Sequence, residues 1–151
     1  MLHFSYIFKA PFRLTVRSMM ADQPYKILIV EDEGPLREVL EERFDNEGFK
    51  VFIAKDGAEG LMTALKEEPD IILLDIIMPQ VDGLTMLKQL RANDKGARTR
   101  VIVLTNVNDS KEVHEALLAG ATDFLVKSDW AISDLVDSVK HQLQEPGNYT
   151  A

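Results

Sequence analysis

The sequence has no cysteine, which excludes disulfide frameworks, thiolate nucleophiles and cysteine zinc sites and suits a reducing compartment. Histidine is almost as scarce. His3, His114 and His141 stand too far apart for a local ligand motif such as H-E-x-x-H. No apolar run approaches the roughly 18 residues that a membrane-spanning helix needs. Positive charge is in deficit: 17 Lys and Arg stand against 25 Asp and Glu, for a formal net charge of −8. That balance argues against binding by neutralisation of nucleic-acid phosphates. A glycine-rich phosphate loop is missing too, since only Glu33-Gly34-Pro35 follows the first strongly apolar run. Dinucleotide-binding and P-loop readings lose their main support. The 151 residues suffice for one domain with a core and leave no room for two.

Residues 1 to 20 carry Lys9, Arg13 and Arg17 and no acid, so the negative charge belongs to the rest of the chain. A secretory signal places basic residues before an apolar run. Here the apolar stretch Leu2 to Phe8 comes first. Residues 1–24 read as a mobile extension, or as an over-long start with Met19 or Met20 as the true beginning. A weak basic surface anchor and a docked extra element are the other readings. Residues 25–145 form the expected domain and 146–151 a tail. The protein is expected to be cytoplasmic.

From Lys26 onward short apolar runs alternate with helical periods, the pattern of a βαβα fold. Candidate strands are 26–30 (KILIV), 50–54 (KVFIA), 70–74 (DIILL), 100–104 (RVIVL) and 123–126 (DFLV). They are apolar nearly throughout, as expected of strands buried on both faces. Between them run amphipathic stripes: Leu36, Val39, Leu40 and Phe44; Ala58, Leu61, Met62 and Leu65; Leu84, Leu87 and Leu90; Val113, Ala116 and Leu117; and Ile132, Leu135, Val136, Val139 and Leu143. Glycines 48, 57, 83, 96 and 120 fall near the breaks. Right-handed crossovers on five parallel strands favour an α/β doubly wound sheet of order 2-1-3-4-5, a flavodoxin-like fold. Its functional crevice lies beyond the carboxyl ends of the strands.

Those ends carry Glu31 and Asp32, Asp75, Thr105 and Lys127. Three carboxylates on one rim repel one another unless a proton or cation joins them. An all-oxygen ligand set fits Mg²⁺, with Mn²⁺ as the alternative, and a phosphoryl group would complete the octahedron. Asp75, ionised at neutral pH, can serve as nucleophile and form an aspartyl phosphate. Thr105 and Lys127 would stabilise the phosphoryl oxygens. A lone strand-end acid is more often a solvated loop residue or a helix cap, as Asp32 or Asp109 could be. Five complementary groups on one rim are harder to explain that way.

The segments ILIVEDE (27–33), LLDIIMPQVDG (73–83), VLT (103–105) and FLVK (124–127) together resemble the receiver domain of two-component response regulators, the family of the chemotaxis regulator. The resemblance spans Lys26 to about Leu143. It implies that Glu31 and Asp32 are the acidic metal pair, Asp75 the phosphoacceptor and Ile77 the donor of a backbone-carbonyl ligand. Thr105 is then the switch hydroxyl, Phe124 the switch aromatic and Lys127 the family's lysine. The implied protein is a single-domain response regulator that takes a phosphoryl group from a sensor histidine kinase or histidine phosphotransfer protein. It signals to an unknown downstream protein through the fourth helix, fifth strand and fifth helix, including Lys111, Val113, Glu115 and the surroundings of Trp130. No free-substrate turnover and no direct nucleic-acid contact are expected.

Three positions depart from the family pattern, and the N-terminal extension has no counterpart in it. Ser128 replaces the usual proline after the lysine, Asn106 replaces a small residue, and Phe124 lacks the hydroxyl of many relatives. Phe124 is expected to be buried on apolar grounds, and Trp130 to pack half-buried at the start of the last helix. Ile77 and Val107, both β-branched, occupy the positions that flank the hydrolytic water's path in the family. Two rival readings are an interaction scaffold that never uses phosphorylation and an enzyme with a free substrate. The second lacks an acid two residues after Asp75, where Ile77 stands.

Overall fold

The computed structural model describes residues 23–78, 81–106 and 110–144. Strands and helices alternate: β1 (Lys26–Val30), α1 (Gly34–Asn46), β2 (Lys50–Ala54), α2 (Gly57–Glu67), β3 (Ile71–Asp75), α3 (Gly83–Ala92), β4 (Arg100–Thr105), α4 (Ser110–Leu118), β5 (Asp123–Val126) and α5 (Ile132–Gln144). The strands form one parallel sheet of order β2-β1-β3-β4-β5, as expected. The expectations for residues 1–22, Val107, Asp109 and the tail lie outside the described residues.

Side chains alternate across a strand, and here both sets are buried. Ile27, Ile29, Ile71, Leu73, Ile102 and Leu104 pack with Leu40 and Phe44 of α1 and Leu135, Val136 and Val139 of α5. Leu28, Val30, Ile72, Leu74, Val101 and Val103 pack with Ala64 of α2, Met86, Leu87 and Leu90 of α3 and Ala116 of α4. Burial of one such aliphatic side chain stabilises by about 1.5–3 kcal/mol, so neither face of these strands can be polar without loss. This is the physical reason for their continuous apolar runs.

Four stripe residues differ from expectation: Val39, Ala58, Met62 and Leu117 are exposed. In α1 the core-facing row is Leu36, Leu40 and Phe44, and Val39 stands to one side of it. In α2 the close packing comes from Gly57, Gly60 and Ala64, which turns Met62 outward. Among the described side chains of α4, Ala116 is the one fully buried, and Leu117 falls beyond its contact with the sheet.

Three strand ends also differ by one residue. Asp70 stands just before β3, its N–H donating to the Lys26 carbonyl at 2.9 Å and its carboxylate accepting the Lys26 N–H at 2.7 Å. At the other end the Ile76 N–H donates to the Leu104 carbonyl at 3.3 Å, which carries the ladder past Asp75. Asp75 and Thr105 are therefore the last residues of β3 and β4. Their backbones are fixed by the sheet rather than carried on loops.

The loop after Asp75 folds back onto β3. The Gly83 N–H donates to the Ile76 carbonyl at 2.9 Å, and a Cβ on Gly83 would stand 2.1 Å from the Asp75 carbonyl oxygen. Only glycine permits that approach. Asp82 then caps α3 by accepting the Thr85 N–H at 2.8 Å.

Candidate functional site

Strand register assembles the rim. Val30 pairs with Leu74, so Glu31 and Asp75 emerge side by side. Asp75 pairs with Leu104 and Thr105 with Val126, which brings Thr105 and Lys127 to the same edge. The Lys127 N–H donates to the Thr105 carbonyl at 2.6 Å and fixes the departure of the chain from β5. Among the described residues no peptide bond is cis, so the chain runs on in trans through Ser128.

The side chains converge as well. Lys127 Nζ lies 2.7 Å from Glu31 Oε2 and 3.3 Å from Asp75 Oδ2. The remaining carboxylate oxygens are held by backbone donors: Glu31 Oε1 accepts the Glu33 N–H at 3.2 Å and Asp75 Oδ1 accepts the Ile77 N–H at 3.1 Å. Glu31, Asp75 and Thr105 are buried, whereas Asp32 is exposed at the mouth. Carboxylate oxygens of Glu31, Asp32 and Asp75 lie within 4.8 Å of one another. The structure thus brings together Glu31, Asp32, Asp75 and Lys127, with Thr105 placed beside them by register. Asp32 is no helix cap, since α1 begins after Glu33.

The electrostatics modify one expectation. Burial pushes the Asp75 carboxyl up to about 7; the Glu31 charge adds to this, Lys127 and the Ile77 N–H oppose it, and Asp32 raises it slightly further. Asp75 is therefore not fully ionised at neutral pH when the acids are left to themselves. For Lys127, burial favours the neutral amine, but Glu31 and Asp75 outweigh it and hold its pKa above the ordinary value. The lysine stays charged.

A divalent cation suits this set. Glu31 Oε2 and Lys127 Nζ are both buried and neither has an aligned hydrogen bond, so their close contact is electrostatic. A buried carboxylate oxygen with spare acceptor capacity next to two more carboxylates fits a hard cation. A buried ammonium with unspent donors fits a phosphoryl oxygen. A cleft of about 340 Å³ lined by Tyr25, Glu47, Phe49, Lys140 and Leu143 lies at the opposite edge of the sheet and contains none of these groups.

Other anticipated residues fall in different surroundings. Phe124 is 37% exposed, contrary to the expected burial. It stands on the edge strand β5, whose outer side has no strand neighbour in the sheet. Trp130 is half-buried against the α1–α5 side of the core, as expected. Ile77 is 52% exposed directly after Asp75. Arg37 went unremarked in the sequence, yet its guanidinium reaches the acidic loop: Nη1 donates to the carbonyls of Glu31 at 2.9 Å and Asp32 at 3.3 Å. Its partners are backbone atoms, which no residue pattern announces.

A doubly wound sheet with an acid triad and a lysine on its carboxyl edge is the architecture of a phosphoacceptor signalling domain. The chain belongs to the response regulator receiver domain family of two-component systems, whose model matches residues 27–140. It is 35% identical over 123 residues to the sporulation initiation phosphotransferase F of Bacillus subtilis, covering 82% of this chain and 97% of that protein. It is 38% identical over 102 residues to the probable transcriptional regulator ycf27 of Guillardia theta, covering 68% of this chain but only 39% of that one. The chain thus spans nearly all of one relative and well under half of the other. Among solved structures, the receiver domain of the sensor histidine kinase PA1611 from Pseudomonas aeruginosa, with a magnesium ion coordinated in its active-site cleft, matches with a TM-score of 0.74 and 27% identity, over 81% of this chain and 99% of that one. The chemotaxis protein CheY4 of Vibrio cholerae matches with a TM-score of 0.73 and 28% identity, over 78% of this chain and 98% of that one.

Proposed function

We propose that this protein accepts a phosphoryl group from a phosphohistidine onto Asp75 in a Mg²⁺-dependent step and signals through protein contacts. The observation that carries the reading is Lys127 Nζ held beside both Glu31 and Asp75 of a three-carboxylate cluster. In the transfer, an Asp75 carboxylate oxygen bonds to phosphorus as the P–N bond breaks, and the departing imidazole nitrogen takes a proton from solvent. Glu31, Asp32, Asp75 and the Ile77 carbonyl would hold Mg²⁺, which neutralises the acids and the transferring phosphoryl charge. Lys127 meets the developing charge on a phosphoryl oxygen, and the Thr105 hydroxyl is placed to meet another. The Ile77 N–H on Asp75 Oδ1 fixes the carboxylate plane.

Output is assigned to the surface of α4, β5 and the start of α5. Lys111, Leu117, Leu118 and Phe124 are exposed there, with Val113, Glu115 and Trp130 half-buried beside them. Receiver domain 25–145 carries all of this; residues 1–24 lie outside it. The donors are a sensor histidine kinase or a histidine phosphotransfer protein. Incubation with phosphoramidate, whose P–N bond is that of a phosphohistidine, tests the reading. One Mg²⁺-dependent, hydroxylamine-labile phosphoryl group on Asp75 is expected; no adduct, or continuous release of phosphate without an adduct, contradicts it.

A further inference from the structure

We infer that Arg37 is a positioning residue that pins the Glu31–Asp32 backbone from behind and so holds both acids in ligand geometry; the inference rests on the metal-binding reading above. The guanidinium Nη1 donates to two consecutive carbonyls, those of Glu31 at 2.9 Å and Asp32 at 3.3 Å. From the other direction, the Glu33 N–H is taken by Glu31's own carboxylate at 3.2 Å. The three-residue bend between β1 and α1 is therefore fixed on both sides. Glu31 Oε2 is left directed at Lys127 and the Asp32 carboxylate is left at the mouth.

The placement of Arg37 is unfavourable for the helix that carries it. Arg37 is the fourth residue of α1, whose first turn holds no acid and whose N-cap Glu33 makes no side-chain capping bond. A cation at a helix N-terminus opposes the helix dipole. A local choice that works against its own element is expected where another demand prevails, and here the demand is three like charges within 4.8 Å. A guanidinium bonded to carbonyl oxygens on the far side of the bend adds positive potential without occupying the face where a cation and a phosphoryl group would enter. Arginine suits the task because its guanidinium stays charged and one Nη carries two N–H donors for two neighbouring acceptors.

Groups that orient metal ligands are worth about 10- to 100-fold in metal affinity. Arg37→Gln is therefore expected to raise the Mg²⁺ dissociation constant about tenfold or more. Arg37→Lys should recover part of that loss. Arg43→Gln, two turns along α1 and paired with Glu47, removes the same charge away from the bend and should leave Mg²⁺ affinity within about twofold of the natural protein. A metal-free readout separates positioning from the metal reading: the Glu33 amide should exchange with solvent faster in Arg37→Gln than in the natural protein or in Arg43→Gln. If the natural protein binds no Mg²⁺ while Glu33 exchange still accelerates, the metal reading fails and the pinning stands. Unchanged Glu33 exchange in Arg37→Gln, or equal loss of Mg²⁺ affinity in Arg37→Gln and Arg43→Gln, overturns the inference. Should Arg37→Gln fail to fold, the same amide is compared in Arg37→Lys, where protection identical to the natural protein's overturns it.

Discussion

Lys127 and Glu31 form an ion pair at 2.7 Å whose Nζ and Oε2 are buried and in which neither has an aligned hydrogen bond. Such a pair stabilises little by itself, because desolvation offsets the attraction, but removal of one partner leaves an uncompensated buried charge. Lys127→Ala is therefore expected to lower stability by about 3–5 kcal/mol near neutral pH while abolishing phosphorylation or the response to it. Millimolar Mg²⁺ should return part of that stability by neutralising the same acids. Chemical denaturation with and without Mg²⁺ checks this. A stable, fully phosphorylatable Lys127→Ala protein would remove the lysine from the site's chemistry.

The raised Asp75 pKa gives a signed pH dependence. Between an unfolded value of 3.8 and a folded value of about 7 the native state binds the extra proton. Metal-free stability therefore falls as pH rises through that window and is flat above it as far as this group is concerned. Mg²⁺ competes with the same proton. Its affinity should weaken as pH drops below about 7, and binding near neutrality should release a proton. Calorimetry in buffers of different ionisation enthalpy measures that release. Affinity independent of pH from 6 to 8 would show Asp75 already ionised.

Much of this was legible in the sequence. The three central strands stood out because both of their faces are buried, whereas the edge strands β2 and β5 are only partly covered; the rim was found because parallel strands in this order bring their carboxyl ends to one edge. What escaped depends on partners that a linear pattern does not display. The Ile76 to Leu104 bond shifted β3 by one residue. Phe124 is open on β5, an edge strand of the sheet. The Asp75 pKa comes from burial and from the proximity of Glu31, both absent until the fold closes.

Ile77, 52% exposed beside Asp75, offers an approaching water no hydrogen bond. Hydrolysis of an aspartyl phosphate needs such a partner to orient the water or accept its proton. The phosphorylated protein should therefore decay slowly, and Ile77→Asn should shorten its lifetime by about tenfold or more. Val107→Glu is expected to act in the same direction. Decay after donor removal measures both; equal lifetimes for natural and polar variants would refute the shielding.

The acids and the lysine of the rim lie between Glu31 and Lys127 in the chain. Deletion of residues 1–20 should leave the melting temperature and the extent of Asp75 phosphorylation unchanged. A marked drop in either would place Phe4, Phe8 or Phe12 on the domain.

The central claim is that Asp75 is the phosphoacceptor of a Mg²⁺-dependent rim. Intact-mass measurement after incubation with acetyl phosphate tests it most directly, run on the natural protein, on Asp75→Asn and on the natural protein with excess chelator. One phosphoryl adduct on the natural protein alone, absent from Asp75→Asn and from the chelated sample, is predicted. An adduct that persists in Asp75→Asn or without divalent metal, or no adduct on the natural protein, contradicts the account.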